Sequence, residues 1–533
     1  MRRRSPRLPF LLLVGGAIGS AVAFGGIDGE PSAEGGGARP VPTGAMPVVA
    51  DAEAPTSTWF CAAGTGEQDA MADHTVALFN PGDAPVDATI TVYGGAVAPA
   101  AAPAPDPVTR EVAVPAGDQL ELRLGDVVAA PLVSALVEAD GGGMAVGHWV
   151  AGPHGRDGGP CASAASAVWH FASGATTRDA REVIVLFNPF PTEATVDVVF
   201  ATEDGARAPV RFQGFPVPAR SVVGIDIGDD VTRKEQVSMT LRVRTGRVVA
   251  ERLQQFDGIL GTEGLSLALG APEAATTWAF AEGVVGDGMI ERVAVYNPGE
   301  TRAEVDVSVL PTTRELAPAP QPFRLSIKPG DFAVVDYADE DRIPRGSGHA
   351  TVVHATNGVA VVAEQLTTHT LGVDDGEDGD EDADGVADVV GGDIAAGPGS
   401  VLAARTWTFP APPAASDGSA GSTARFVVFN PDPHRSTTVT LVEADTGRGA
   451  SPDDMVDVEV APGGRVELAL ERATADRAVP VVVRADDPVV VDRLDVLPDQ
   501  LRLALAVGIP SLGRSVPLAE LAEHGELAGQ PTG

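Results

Sequence analysis

Acidic side chains are the first candidates for chemistry in this 533-residue sequence, and one acidic segment carries part of a calcium-loop pattern. Asp380, Asp382, Asp384 and Gly385 match positions one, three, five and six of an EF-hand loop. Position twelve is Gly391, where that loop needs a bidentate glutamate, and no helical pattern flanks the segment. We therefore interpret it as a solvated linker, and calcium binding is the alternative.

A second candidate is an acidic residue that recurs at the end of a late apolar stretch. Glu251, Glu364 and Asp492 occupy this place, and His148 stands at the matching position near the start of the chain. These side chains could contact a sugar or a peptide, or they could face outward from an amphipathic strand. Because histidine replaces the acid once, we favour the outward-facing interpretation.

Catalytic and cofactor motifs are missing from the sequence. It contains no Gly-x-Ser-x-Gly, no His-Glu-x-x-His, no phosphate-binding glycine loop and no Cys-His cluster. We therefore predict no catalytic, cofactor-binding or metal-binding residues, no cofactor and no enzymatic activity. A secreted hydrolase whose site is not visible in the sequence is the weakest alternative.

The most regular feature is a motif that occurs four times: a tryptophan, then an apolar run that ends in Asn-Pro. Four of the five asparagines in the chain belong to it, and they lie 108, 109 and 133 positions apart. Two spacings close to a common domain size predict one domain for each repeat. The motif residues are Trp59, Asn80 and Pro81; Trp169, Asn188 and Pro189; Trp278, Asn297 and Pro298; and Trp407, Asn430 and Pro431.

The Asn-Pro pair predicts the abrupt end of a buried strand. Proline cannot donate to a sheet, and the asparagine amide can close an Asx-type turn. Presentation of four asparagines to a ligand is the alternative. Each tryptophan is followed two residues later by Cys61, Phe171, Phe280 or Phe409, which places both side chains on one face of a strand. This favours a core role over carbohydrate stacking, and Trp149, which has no counterpart, is the better candidate for exposure.

Runs of period two, separated by glycine and proline about every ten residues, are typical of antiparallel sandwiches. We predict an all-β fold of four tandem immunoglobulin-like β-sandwich domains after an N-terminal signal or anchor helix. The predicted boundaries are 1–24 for the signal peptide or membrane anchor, 25–54 for a flexible tether, 55–160, 161–272 and 273–371 for three sandwiches, 372–402 for an acidic disordered linker, 403–515 for the fourth sandwich and 516–533 for a C-terminal tail.

The N-terminal segment predicts export. Arg2, Arg3, Arg4 and Arg7 precede an apolar run over 8–24 that ends in small residues. This is typical of a signal peptide, and the run is also long enough for a short anchor. Either interpretation places the protein outside the cytoplasm, secreted or anchored to the outer face of the membrane. Contact with the membrane is expected only through this segment if it is not cleaved.

The net charge and the two cysteines further restrict the partners and the cellular compartment that we expect. The formal net charge of −37 disfavours nucleic-acid binding, because such a surface repels phosphate. Cys61 and Cys161 lie near the two ends of the first repeat, so we predict a disulfide between them in an oxidising compartment.

The Trp-x-Phe openings, the Asn-Pro motif and the Arg-rich export segment resemble an uncharacterised family of exported actinobacterial repeat proteins, a domain-of-unknown-function family. The resemblance covers nearly all of the chain after residue 55 and implies only an envelope or secreted location. We therefore predict a non-enzymatic envelope protein that serves as a structural spacer or protein-interaction surface. Its partner would be an unknown envelope protein, or a cell-wall glycan if the repeats form a carbohydrate-binding array.

Overall fold

The computed structural model describes residues 45–67, 70–99, 104–259, 262–286, 288–312, 320–370, 392–413, 423–444, 451–471, 478–497 and 502–530. All of them belong to one compact unit, Val41–Gly533. The predicted signal peptide or anchor, residues 25–44 of the tether and the calcium-like segment at 380–385 lie outside the described residues. In the part of the chain that is described, no helix has the length and apolar character needed to cross a membrane.

The described residues form an all-β structure, which confirms the predicted fold class. The first repeat contains β1 (Ser57–Cys61), β2 (Asp73–Asn80), β3 (Val86–Val97), β4 (Val108–Val114), β5 (Asp118–Arg123), β6 (Leu132–Ala139), β7 (Ala145–Gly152) and β8 (Gly155–Pro160). The second contains β9 (Val168–Phe171), β10 (Ala180–Asn188), β11 (Ala194–Thr202), β12 (Gly205–Arg207), β13 (Gln213–Val217), β14 (Ser221–Asp226), β15 (Val237–Thr245), β16 (Val249–Asp257) and β17 (Glu263–Leu269).

The other two repeats follow the same order. The third contains β18 (Thr277–Phe280), β19 (Met289–Tyr296), β20 (Ala303–Pro311), β21 (Phe323–Ile327), β22 (Phe332–Asp336), β23 (His349–Ala355), β24 (Val362–Thr370) and β25 (Gly392–Pro398). The fourth contains β26 (Leu402–Phe409), β27 (Thr423–Phe429), β28 (Thr437–Glu443), β29 (Val458–Val460), β30 (Arg465–Glu471), β31 (Val481–Leu497), β32 (Arg502–Val507), β33 (Ile509–Pro510) and β34 (Ser515–Pro517), and α1 (Leu518–Glu523) follows. Short 3-10 turns lie at Leu124–Asp126, Val210–Phe212, Ile227–Asp229, Asp453–Met455 and Leu512–Arg514.

Each of the first three repeats contributes two groups of paired strands, and the third shows them as separate sheets. Its two sheets have the orders β18-β23-β20-β21 and β22-β19-β24-β25. The first repeat has the matching orders β1-β6-β3-β4 and β5-β2-β7-β8. In the fourth repeat the long strand β31 pairs with strands of both groups. Side chains alternate as expected for half-buried strands: Ala88, Ile90 and Val92 of β3 are buried, with partly exposed threonines between them.

The repeated tryptophans lie in the cores, which confirms their predicted role. Trp59, Trp169, Trp278 and Trp407 are at most 2% exposed. The last three donate their indole N–H to the carbonyl oxygens of Val248, Val361 and Val489 at 2.8, 2.8 and 2.9 Å. Burial at this level excludes stacking of these four rings on a sugar.

The four Asn-Pro motifs form the predicted turns. Each asparagine is buried, and its Oδ1 accepts a hydrogen bond from the backbone N–H two residues later, at 3.0 to 3.1 Å. Its Nδ2 donates to a carbonyl oxygen four or five residues later, at 2.8 to 2.9 Å. A local structural cause therefore accounts for these asparagines.

The repeats are not self-contained, in contrast to the sequence-based expectation. Gly95–Val97 at the end of β3 pair in parallel with Val222–Gly224 of β14, so the first and second repeats share one sheet. One apolar cluster likewise runs without a break from Trp278 of the third repeat to Trp407 of the fourth. Sequence patterns reveal which residues are buried, but do not reveal whether they are buried within one repeat or between two.

The last hairpin of each repeat meets the others at the centre, and the chain closes on itself. Leu267 of β17 donates its backbone N–H to Asp157 of β8 at 2.8 Å, and Gly264 of β17 packs on Ile394 of β25. β25 contacts the fourth repeat through Ala395 and Leu494, and β32 lies beside β8 around a small cavity of about 20 Å³. The four repeats therefore form a closed ring rather than a row.

Three predicted segments are more ordered than expected. Met46, Val48 and Val49 of the predicted tether are buried, because this stretch packs near the centre of the ring. Residues 392–402 of the predicted linker enter β25 and β26. The C-terminal tail forms α1 and then packs Leu527 and Ala528 between the third and fourth repeats.

Candidate functional site

The recurring acids lie at the joints between consecutive repeats, where each one binds the backbone of the preceding repeat. Glu251, Glu364 and Asp492 are at most 2% exposed, so the outward-facing interpretation is wrong. Each carboxylate accepts two successive backbone N–H groups just after the first strand of the neighbour. The donors are Ala62 and Ala63 at 3.2 and 2.6 Å, Ala172 and Ser173 at 2.8 and 3.1 Å, and Ala281 and Glu282 at 2.6 and 3.1 Å.

The joint that closes the ring, between the fourth and first repeats, uses different groups. Its first donor position is Pro410, which has no N–H. Strand pairing places Gly147 at the acid position of the first repeat, because Gly147 lies opposite Ala77 as Glu251 lies opposite Val185. The predicted match of His148 to the acids is therefore wrong, and His148 corresponds to Arg252. The Gln119 side chain instead binds the backbone of Ala411, the residue after Pro410. Gln119 Oε1 accepts a hydrogen bond from the Ala411 N–H at 2.7 Å, and Gln119 Nε2 donates to the Ala411 carbonyl oxygen at 3.0 Å. The loss of the donor explains why no acid is needed here.

A second recurring position lies under each joint, six residues before the motif asparagine. It holds His74, Glu182 and Glu291 in the first three repeats, all fully buried, and Ala424 in the fourth. A glycine covers the ionisable side chain in the first three: a Cβ on Gly64, Gly174 or Gly283 would lie within 2.4 to 2.9 Å of it. In the fourth repeat Pro412 takes the glycine position, because Ala424 leaves room for a ring.

The joint between the first and second repeats contains a pair of histidines. His74 Nδ1 lies 2.9 Å from the carbonyl oxygen of Val133, which assigns its proton to that nitrogen. Nε2 then accepts from His148 Nδ1 at 2.9 Å, and His148 Nε2 lies 3.4 Å from Glu251. Burial lowers the pKa of His74 to about 3, so this imidazole is neutral at physiological pH.

The joint between the third and fourth repeats contains a buried ion pair beside a second carboxyl group. Arg465 donates to Glu282 at 2.6 Å and to the Thr312 hydroxyl at 3.1 Å. Burial raises the pKa of Asp492 to about 7 and also raises the pKa of Glu282. These groups are enclosed by protein, since α1 and the residues after it cover the same joint.

The joint between the second and third repeats contains the third buried cluster. Arg252 donates to Glu364 at 2.9 Å and also to the carbonyl oxygen of Ser173. Arg252 Nε and both carboxylate oxygens of Glu182 have no hydrogen-bond partner among the described residues. Burial raises the pKa of Glu182 to about 8, and the nearby Arg252 only partly offsets this effect.

This joint also has a cleft of about 370 Å³, and we take it as the candidate site. Its polar wall comes from the second repeat and its apolar wall mainly from the third. The lining residues include Ser173, Asp179, Glu235, Arg252, Gln254, Phe256, Ala294, Val334, Leu366 and Ile394. A concave surface that is largely apolar, with a few polar groups, is the usual setting for ligand binding.

At two other joints, a chain segment fills the space that corresponds to this cleft. At the joint between the second and third repeats, no described segment fills it. The residue three positions before the motif asparagine is Ala294 at the cleft, Val185 in the second repeat and Val427 in the fourth. Val185 belongs to the cluster that contains Tyr93 of β3, and Val427 to the cluster that contains Leu518 of α1.

The cleft wall carries polar groups that can bind a ligand. No group of three or more metal-ligating side chains occurs in the described part of the chain. The polar groups on the wall are carboxylates, amides, hydroxyls and two guanidinium groups that are already paired. They can hold a polar backbone or a cation.

The remaining sequence-based candidates are distributed through the molecule. Cys61 and Cys161 form a buried disulfide in the first repeat. Trp149 is half-buried beside Gly158 at the joint of the first and fourth repeats, so it is less exposed than expected. Sequence reasoning missed Gln119 and Arg465, which occupy the same position of the fifth strand at two joints. Alignment of the four repeats with one another would have marked that position.

Comparison with known proteins gives a family of unknown function. Residues 144–384 match the model of a family described as "Family of unknown function (DUF5719)". This agrees with the expected resemblance to an uncharacterised family. No curated protein matches the chain.

Two similar solved structures each cover less than a fifth of this chain. The Anabaena sensory rhodopsin transducer is 24% identical over 17% of this chain and 94% of its own, with a TM-score of 0.15. The protein titled Thermotoga maritima 1070 is 17% identical over 18% of this chain and 83% of its own, with a TM-score of 0.16.

Proposed function

We propose that this protein is a non-enzymatic, exported protein of the cell envelope that serves as a rigid spacer and protein-interaction surface. We further propose that its four repeats are immunoglobulin-like β-sandwiches that follow an N-terminal signal peptide or anchor. The observation that carries the proposal is the use of Glu251, Glu364 and Asp492. These buried acids bind backbone N–H groups at the joints, where they stabilise the assembly and have no access to a substrate.

Two features support an extracytoplasmic location. The disulfide between Cys61 and Cys161 is compatible with an oxidising compartment, since such bonds are rare in the cytosol. The Arg-rich start and apolar run of the first 24 residues are typical of export. The net charge of −37 supports solubility at high local concentration.

An envelope protein is the favoured partner because the cleft between the second and third repeats is lined by a strand edge as well as by side chains. A cell-wall glycan is the alternative partner. The four motif tryptophans are buried, which leaves Trp149 as the tryptophan for a sugar to contact. Its ring packs on Gly158 and faces the fourth repeat, which favours a structural role for it.

Fractionation and glycan binding test this proposal. We expect the protein in the envelope fraction or the medium, with N-terminal sequencing either starting near residue 24 or showing the intact start. Purified cell-wall glycan should not retain it. Retention that is lost in Trp149→Ala but kept in Val210→Ala, a change at a highly exposed position, would replace the protein partner with a glycan. Recovery in the cytoplasm would contradict the proposal.

A further inference from the structure

The edge of β22 at the cleft is the feature that points to a ligand. Among the described residues, β22 pairs only with β19 and is the terminal strand of its sheet. Val334 in its middle is 39% exposed, although the corresponding residue of the second repeat, Gly224, is buried. A strand edge with unpaired backbone groups and an exposed apolar side chain is a template for another strand.

We propose that the cleft between the second and third repeats binds an extended segment of a partner polypeptide, which adds to β22 as a parallel strand. The segment has glycine followed by small residues, and it carries a basic residue. This inference rests on the proposed role as an interaction surface and identifies where that surface lies.

The second repeat supplies the precedent for this binding mode. Its strand β14 corresponds to β22, and there Gly95–Val97 occupy the edge in parallel register. The backbone N–H of Ala98 continues the pairing, with a hydrogen bond of 2.8 Å to the carbonyl oxygen of Gly224. The edge that is open at β22 is therefore occupied by a strand at the equivalent place in the same molecule.

The hairpin of the second repeat does not reach the edge of β22, because it is shorter than the hairpin of the first repeat. By pairing register, Thr202 at the end of β11 corresponds to Gly94, and β3 continues for three further residues. Those three residues form the parallel pairing with β14. After Thr202 the chain turns back, and Glu203 and Asp204 bind the backbone of Gln236 and the side chain of Lys234 in their own repeat.

The precedent also sets the side-chain preference of the segment. A Cβ on Gly95 would lie 1.9 Å from the carbonyl oxygen of Val222, so only glycine fits at that position. A Cβ on Gly224 would lie 3.0 Å from Val97, and β22 has Val334 in place of that glycine. The residue of the ligand that matches Val97 must therefore be smaller, such as alanine.

The acidic side chains of the cleft are the reason why the bound segment should carry a basic residue. Asp179 and Glu235 line the cleft, and neither has a basic partner among the described residues. The two arginines on the wall, Arg252 and Arg292, are paired with Glu364 and Asp336. A lysine or arginine in the ligand complements this surface, whereas an acidic segment is repelled by it.

Peptide titration against the full chain tests the inference. The probe is a fluorescein-labelled Gly-Gly-Ala-Ala-Ala-Lys peptide, and the control peptide has valine at the second position. We expect saturable binding of the probe, measured by fluorescence anisotropy, and at least tenfold weaker binding of the control, because the added side chain meets the backbone of β22.

Two protein variants localise the binding. Val334→Lys should weaken it at least tenfold, whereas Val210→Lys, which adds the same charge at a position 88% exposed, should leave it unchanged. Glu235→Gln, at an exposed position, should weaken it about threefold. Thermal melts establish that each variant is folded.

Absence of probe binding to the wild-type chain would overturn the inference, as would equal binding by Val334→Lys. Self-association of the protein that is lost in Val334→Lys, without peptide binding, would assign the edge to a second copy and also overturn it. Fractionation to the envelope is measured separately, so failure of the cleft inference is distinguishable from failure of the proposed function.

Discussion

Removal of the Glu364 carboxylate tests most directly whether the buried acids stabilise the joints between repeats. In the folded protein this side chain accepts hydrogen bonds from the N–H groups of Ala172 and Ser173, from the Ser173 hydroxyl, and from Arg252. Glu364→Ala leaves two backbone N–H groups and one guanidinium buried without their acceptor. The cost is that of desolvated groups that have lost their partners.

The magnitude follows from those contacts. An unsatisfied buried backbone N–H costs about 1 to 3 kcal/mol, and loss of one member of a buried ion pair costs about 3 to 5 kcal/mol. These contributions share one carboxylate and are not additive, so we expect the free energy of unfolding to fall by about 5 kcal/mol. Glu364→Gln, which keeps one acceptor oxygen, should cost less.

Urea unfolding at pH 7, followed by the fluorescence of the buried tryptophans, measures this loss. Asp336→Ala is the matched control, because it removes a carboxylate 2.6 Å from an arginine that is about half exposed, Arg292. A surface pair of this kind contributes at most about 1 kcal/mol. Equal, small effects of Glu364→Ala and Asp336→Ala would refute the assignment of Glu364 as a joint residue.

Three further predictions concern pH, ring closure and the disulfide. The folded-state pKa of Glu182, about 8, lies above its ordinary value of 4.5, so its stabilising contribution is complete below pH 4.5 and is lost as pH rises through 8. Glu182→Gln should raise the free energy of unfolding at pH 9 by up to about 5 kcal/mol and at pH 5 by less than about 1 kcal/mol, whereas an equal gain at both would contradict this pKa. Gln119→Ala should speed hydrogen exchange at the Ala411 amide at least tenfold, whereas Gln213→Ala, which removes a glutamine contact within one repeat, should not; unchanged exchange would exclude Gln119 from the closing joint. Replacement of both cysteines by alanine opens a loop of 100 residues and should lower the free energy of unfolding by up to about 4 to 5 kcal/mol; an unchanged urea midpoint would show that the bond does not stabilise the fold.

The repeats and their cores could be predicted because the relevant forces act within a few residues. An apolar, β-branched run that stops at Asn-Pro needs a strand, a buried asparagine and a turn wherever it occurs. The alternation of Trp169 with Phe171 is likewise a local consequence of strand geometry. These positions are buried in the structure as the pattern required.

The ring and its cleft could not be predicted, because burial between repeats produces the same pattern as burial within one. Glu364 follows the apolar run 361–363, and nothing in that run distinguishes an outward-facing carboxylate from one that binds a neighbouring backbone. The acid position of the first repeat holds Gly147, one residue before the histidine that the sequence pattern aligns with the acids. The physical reason for the missing acid lies 263 residues away, at Pro410, which lacks the N–H that an acid would accept.

Correlated changes among the repeats contained the missing signal. The glycine after the first strand is retained in the three repeats that bury an ionisable residue six positions before the motif asparagine. Both change together in the fourth repeat, which has Pro412 and Ala424. This correlation indicates contact between two parts of one repeat, and that contact supports each joint.

Small-angle X-ray scattering of the mature protein tests the central claim, which is that four repeats close into one body. A compact unit of about 490 residues has a radius of gyration of about 23 Å. A row of four separate domains of about 110 residues would give about 40 Å, from domains of about 13 Å spaced by their own diameters. A value within a few ångströms of 23 Å is predicted, and a value near 40 Å would contradict the ring.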